Sequence, residues 1–136
     1  MYLLRYIYAA CIVITASCSN DSGKYPKAEN ALDAAREFIS ASLKGDFQKA
    51  SFYMLKDEEN QHRLNLIEKD YRSKSNSQKQ EYFDASIIIN EDATLNDSIH
   101  IINYQNSYDN IARKVKVINR NNTWLVDFKY TFNGNL

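Results

Sequence analysis

Hydrophobic and polar positions follow three successive patterns along this chain. Residues 6–16 (YIYAACIVITA) are apolar without a break. From Glu29 to about Arg72 apolar residues recur every three or four positions, and from Tyr82 to Phe132 they alternate with polar ones. The first pattern is that of a leader, the second of amphipathic helices, the third of half-buried strands.

Over Glu29–Leu43 one helical face carries Leu32, Ala35, Ile39 and Leu43, widened by Ala31 and Phe38, with Ser42 at its edge. Asp33, Arg36, Glu37, Ser40 and Lys44 form the other face. Lys44 suits the negative end of the helix dipole, and Gly45 supplies a left-handed stop. Asp46 then caps a short helix, Phe47–Leu55, which buries Phe47, Ala50 and Met54. Asp57 caps a third helix running to about Arg72, with Leu64, Ile67 and Tyr71 inward and the charged run Lys56–Arg63 as a solvated face. Lys74–Gln80 (KSNSQKQ) reads as a polar loop.

Alternation begins at Tyr82. Phe83, Ala85, Ile87 and Ile89 fall on one side, and Asp84, Ser86 and Ile88 on the other. Glu91–Asp97 is expected to turn the chain, Ser98–Tyr104 to form the next strand, and Gln105–Asn110 to turn it again. Ile111–Ile118 returns with Val115 and Val117 inward. Asn119-Arg120-Asn121-Asn122 is a tight-hairpin signal, since asparagine tolerates the left-handed region. Thr123–Phe132 closes the sheet, with Trp124, Val126, Phe128 and Tyr130 on one face. Three N-terminal helices packed on a curved antiparallel sheet of about four strands make an α+β domain with one sheet face covered.

The leader changes what the rest means. Met1–Arg5 is weakly positive, and the apolar run is far short of the ~20 residues that span a bilayer. It ends at Ile14-Thr15-Ala16-Ser17-Cys18, a cysteine behind three small residues. Two other readings stay open: a buried N-terminal strand through Ile12-Val13-Ile14, and an ordinary secretory peptide cleaved elsewhere. Ala16-Ser17-Cys18 resembles the lipobox of bacterial lipoproteins, with Thr15 giving the looser form that resembles those of Bacteroidota. The resemblance implies a diacylglyceryl group on the Cys18 thiol, cleavage before Cys18, and N-acylation (palmitate) of the new terminus. Each buried CH₂ contributes roughly 0.8 kcal/mol, so two or three chains anchor durably.

The expected organisation is therefore a signal peptide (1–17), a polar tether (18–27), a domain (28–132) and a C-terminal tail (133–136). The tether could reach roughly 30 Å at ~3.3–3.6 Å per residue. Ser19 rather than aspartate follows the cysteine, which favours the outer membrane of the cell envelope, periplasmic or surface-facing, over the inner membrane.

Charge and cysteine content narrow the chemistry. Lys+Arg and Asp+Glu are balanced at 17 each, and loss of Arg5 leaves a slight acidic excess, so no nucleic-acid footprint is expected. Cys11 and Cys18 both precede the domain, which leaves it without a disulfide, thiolate metal site or cysteine nucleophile. Ten Tyr, six Phe and one Trp supply bulk for a core and phenolic hydroxyls for a polar-rimmed cavity.

Three short elements carry a family resemblance: Ala35-Arg36-Glu37-Phe38, Lys44-Gly45-Asp46-Phe47-Gln48-Lys49-Ala50, and Asn122-Thr123-Trp124-Leu125-Val126-Asp127-Phe128. In this order they resemble the nuclear transport factor 2-like (cystatin-like) cone fold, in its small lipoprotein-linked, lumazine-binding-like branch. That resemblance implies a cavity at the wide end of the cone, where enzymatic relatives set an Asp or His base opposite a Tyr or Asp donor. The candidates here are His62, His100, Asp84, Asp127 and the tyrosines. By alternation Asp84, Asp127 and His100 point away from the core, and His62 sits among charges on a helix. Two isolated histidines make no metal-site pattern.

The expectation is a non-enzymatic binding domain with no catalytic residue, cofactor or metal. It is held to the membrane through its lipid and meets a small apolar ligand or an envelope protein. Phe38, Tyr53, Tyr104 and Trp124 are the candidate pocket lining, unless those rings simply fill the core. A small lyase or isomerase using His62 or Asp84, and a pocketless accessory of an envelope complex, are the competing readings.

Overall fold

The computed structural model describes residues 23–133. The leader, Cys18 and most of the tail lie outside the described residues. Four helices, α1 (Ala31–Leu43), α2 (Phe47–Phe52), α3 (Glu58–Ser73) and α4 (Asn76–Asp84), precede four strands. The strands are β1 (Ile87–Asn96), β2 (Ile99–Asn106), β3 (Arg113–Arg120) and β4 (Thr123–Asp127), and a 3₁₀ turn (Phe128–Phe132) follows. The sheet is an antiparallel meander in the order β1-β2-β3-β4. The layout is α+β, with one helix more than the sequence suggested.

Helix starts follow from side-chain caps. Asn30, Asp46 and Asp57 each accept from the backbone N–H three residues on, at 2.8–2.9 Å. Gly45 ends α1 with φ +75°, and an added Cβ would lie 2.5–2.8 Å from the Tyr71 ring, so backbone and packing both demand glycine there. The expected loop at Lys74–Gln80 is instead the start of α4. Ser75 and Gln78 form a reciprocal capping box, which specifies the helix although none of its residues is buried.

The strands also depart from the simple alternation. Tyr82–Asp84 ends α4, Phe83 is exposed, and the expected turn at Glu91–Asp97 is mostly strand. Register shifts between Ile89 and Glu91 and between Thr94 and Asn96 break the two-residue period in β1. Such bulges bend a strand and reverse which side chains face inward. Asn121 and Asn122 take φ of 50° and 58° in the β3–β4 hairpin, as their left-handed tolerance predicts.

One sheet face packs on the helices. Ala34 and Ala35 are fully buried and let α1 approach β3 and β4, while Phe38, Ile39, Ile102, Val115, Val117 and Val126 fill the interface. The free edge of β4 is covered: Val126 N–H donates to the Tyr53 carbonyl (2.8 Å) and Leu55 N–H to the Val126 carbonyl (2.9 Å). The end of the expected tether also packs on the domain. Tyr25 stacks on Phe52 with centroids 5.4 Å apart, and Lys24 donates to Gln48 (2.7 Å).

Candidate functional site

At one end of the sandwich the sheet and helices part, leaving a cleft of about 250 Å³ lined by seven aromatic side chains. Two rows of rings form its walls. On one side Phe47, Tyr71 and Tyr82 meet edge to face, at 5.6 and 6.4 Å, and Tyr108 stacks behind Tyr82 at 4.2 Å. On the other, Phe128 packs between Phe38 (4.9 Å) and Phe132 (5.0 Å). Edge-to-face geometry is the favoured mode for such pairs, so the walls hold each other in place.

Tyr104 closes the cleft from the sheet. It lies opposite Ile89 on β1 and Arg113 on β3, and is only 6 % exposed. Burial pushes its phenol up to about 12, against a smaller opposing effect from Arg113, so the group is a neutral donor at any physiological pH. The one side-chain polar atom among the described residues that is both buried and without a hydrogen-bond partner is Arg63 Nε, so the Tyr104 hydroxyl is not an orphaned buried donor. The Tyr53 hydroxyl donates to the Pro26 carbonyl at 2.6 Å.

The polar rim is self-contained. The buried Asn106 accepts from the backbone N–H groups of Tyr108 (3.0 Å) and Asp109 (3.2 Å), shaping the turn that carries Asp109 toward Arg113. Arg113 binds Asp109 through two parallel bonds, 3.1 and 2.6 Å long. The guanidinium beside it holds the Asp109 carboxyl below the usual carboxylate range. Lys74 pairs with Asp70 at 2.8 Å. Every charge on the cleft wall thus has an opposite charge beside it.

No family model, curated protein or solved structure matches this chain.

Of the four rings selected from sequence, Phe38 and Tyr104 line the cleft, whereas Tyr53 and Trp124 do not. Tyr53 is a core residue beside Phe52. Trp124 is half-buried and meets the His100 ring edge-on at 5.3 Å. Sequence reading missed Tyr82, Arg113 and Asp109 as site residues. Tyr82 was assigned to a strand, and the other two meet only through the turn that Asn106 organises.

The polar candidates are dispersed. His62 and Asp84 are exposed on α3 and α4, outside the cleft. His100 does not face out as the alternation suggested. Paired with Val117, it shares the inner face with Ile102 and Tyr104, and its Nδ1 lies 2.8 Å from Asp92 Oδ1. Asp127 is likewise corrected, being 5 % exposed rather than solvent-facing. Its carboxylate accepts from Lys129 (2.8 Å), Lys116 (2.9 Å) and Asn60 (3.1 Å). Burial raises the acid, but these donors together outweigh it and leave the group below its ordinary value. Asn60 also accepts from Lys129 N–H (2.7 Å), so the network joins α3 to the 3₁₀ turn. It is a structural clamp and lies outside the cleft.

Among the described residues no helix is long and apolar enough to cross a membrane, and no cluster of three potential metal ligands occurs.

Proposed function

We propose that this chain is a lipid-anchored binding domain of the bacterial cell envelope, non-enzymatic, with a small apolar ligand seated in the aromatic cleft. The observation that carries the reading is the cleft itself: preformed walls of aromatic rings with Ile39, Leu43 and Ile67 among them, closed at the sheet by Tyr104. Small-molecule sites have this character, mostly apolar with a few placed polar groups. The volume of about 250 Å³ suits a compact ligand, since a cavity of roughly 150 Å³ accepts benzene.

Binding is favoured over catalysis by the state of the cleft's acids. Asp70 and Asp109 are both tied into ion pairs, so neither is a free base beside Tyr104. Helices laid across one face of a four-stranded meander, with a cleft at one end, are consistent with the nuclear transport factor 2-like cone of the sequence resemblance. The anchor is proposed on Cys18. Lys24 and Tyr25 pack on the domain, so six residues, 18–23, separate the proposed anchor from it, a contour length of at most about 22 Å.

Ser42→Phe tests the site. Ser42 is half-buried on the cleft wall, so a ring there fills the space without entering the core. In ligand-observed saturation-transfer NMR with a mixture of small aromatic compounds, the full-length protein is expected to bind some members and the variant none. Equal signals from both proteins, or none from either, would place the function elsewhere.

A further inference from the structure

The inner face of the sheet carries the core, and the outer face carries a second apolar surface. We infer that two copies of this chain pack together through that outer face, related by a twofold axis running along β2. The inference is independent of the cleft, which opens on the inner face and stays free in such a pair.

Strand parity places the surface. Ile102, Val115, Val117 and Val126 point inward and are fully buried, so the residues that alternate with them point outward. The register lines these up in rows across the sheet: Asn96, Ile99, Ile118 and Leu125 in one, and Ala93, Ile101 and Lys116 in the next. Ile99, Ile101, Ile118 and Leu125 are half-buried, yet none of them belongs to the core or packs against it. Helix α1 crosses the inner face instead, where it touches all four strands. On the outer side Ile88 is 41 % exposed. A contiguous apolar surface of this kind marks an interaction site.

The third row, Glu91, Asn103 and Lys114, identifies the partner. Glu91 stands one strand to one side of β2 and Lys114 one strand to the other, both opposite Asn103. Neither has an ion-pair partner among the described residues, whereas Lys116 is neutralised by Asp127 at 2.9 Å. Rotation by half a turn about β2 exchanges the two positions. Glu91 of each copy then faces Lys114 of the other, so the surface is complementary to itself. An unrelated partner would gain nothing from this spacing.

The same axis sets Ile99 and Ile101 of β2 against their own copies at the centre of the contact. Packed sheets lie about 10 Å apart, a gap that a glutamate and a lysine reaching toward each other span. Twist preserves the fit. All sheets twist with one hand, and rotation about a strand carries a twisted surface onto one of the same shape. The two faces therefore follow each other across their width. The apolar rows supply the affinity, and the paired charges fix the register.

Sedimentation equilibrium of the full-length protein in a density-matched non-ionic detergent tests this, with a reversible dimer expected for the wild type. Glu91→Lys or Lys114→Glu alone sets like charges against each other at two places in the contact, and each should weaken the dimer about tenfold. The variant carrying both substitutions restores opposite charges and should return to the wild-type dissociation constant. Ile101→Asp, at the axis, should leave only monomer. The charge variants should melt with the wild type, since neither side chain packs on the core. A wild type that stays monomeric at high micromolar concentration would overturn the inference, as would a dimer that both single charge reversals leave unchanged. Weakening by each reversal without recovery in the double variant would overturn the axis along β2. A folded Ile101→Asp protein that still dimerises would overturn the outer face as the contact; if that variant does not fold, the charge exchange decides alone.

Discussion

Asp127→Asn removes the charge from the only carboxylate buried among the described residues, and its consequences can be worked out from four contacts. Asp127 accepts from Lys129 and Asn60 on one oxygen and from Lys116 on the other. Lys129 also reaches Asp57 at 2.7 Å, so it keeps one acidic partner after the change. Lys116 has only the amide oxygen left to compete for. The lysine side chains are a quarter to a third exposed, so water screens them and the full penalty of a stranded buried charge does not apply. Two weakened charge-assisted bonds at about 1–1.5 kcal/mol each give a loss of about 2–3 kcal/mol. For a domain of this size that lowers the melting temperature by about 8–15 °C.

The pH dependence of that loss has a definite sign. Asp127 titrates below its ordinary value when folded, so its stabilisation is fully present above the unfolded value of about 3.9. It disappears as pH falls through the lower, folded value. Urea unfolding of the wild type and Asp127→Asn should therefore differ by about 2–3 kcal/mol at neutral pH and converge in strong acid. Equal stability at neutral pH, or a gap unchanged by acidification, would refute the clamp.

Other substitutions follow from the same packing. Gly45→Ala places a Cβ at positive φ and against the Tyr71 ring, and should cost about 2–4 kcal/mol by chemical denaturation, with loss of ligand binding through displacement of Tyr71. Trp124→Ala should cost only about 1–2 kcal/mol rather than the 3–5 of a core aromatic, because the ring is half-buried beside His100; thermal melts will show it. Cys18→Ser should abolish acylation and move the protein from the membrane to the soluble extracytoplasmic fraction, and retention on the membrane would refute the proposed anchor.

The first three helices were legible because two independent signals coincide in them: an apolar stripe and a capping side chain. Helix α4 has only the second. Its Ser75–Gln78 capping box is present, but none of its residues is buried, so periodicity carried no trace of it. That omission displaced Tyr82 to a strand and hid one wall of the cleft. In β2 the alternation was ambiguous, since Ile99 and Ile101 are as apolar as Ile102, and the wrong parity turned His100 outward. The bulges of β1 then put Asp92 on the inner face beside it, which no local pattern announces. Asp127 was misplaced for a different reason. An aspartate in an alternating strand reads as exposed, and its donors, Asn60, Lys116 and Lys129, come from three separate segments. Asn106, Asp109 and Arg113 lie within eight residues, but their joint role depends on an Asx turn whose product is visible only in three dimensions.

The native mass of the protein extracted from its own membranes tests the anchor and the cleft most directly. The expected spectrum shows a chain beginning at Cys18 and carrying acyl groups, with an additional small neutral mass that dissociates on gentle activation and is missing from Ser42→Phe. An unprocessed, unacylated chain with no such companion mass would contradict both the anchor and the cleft.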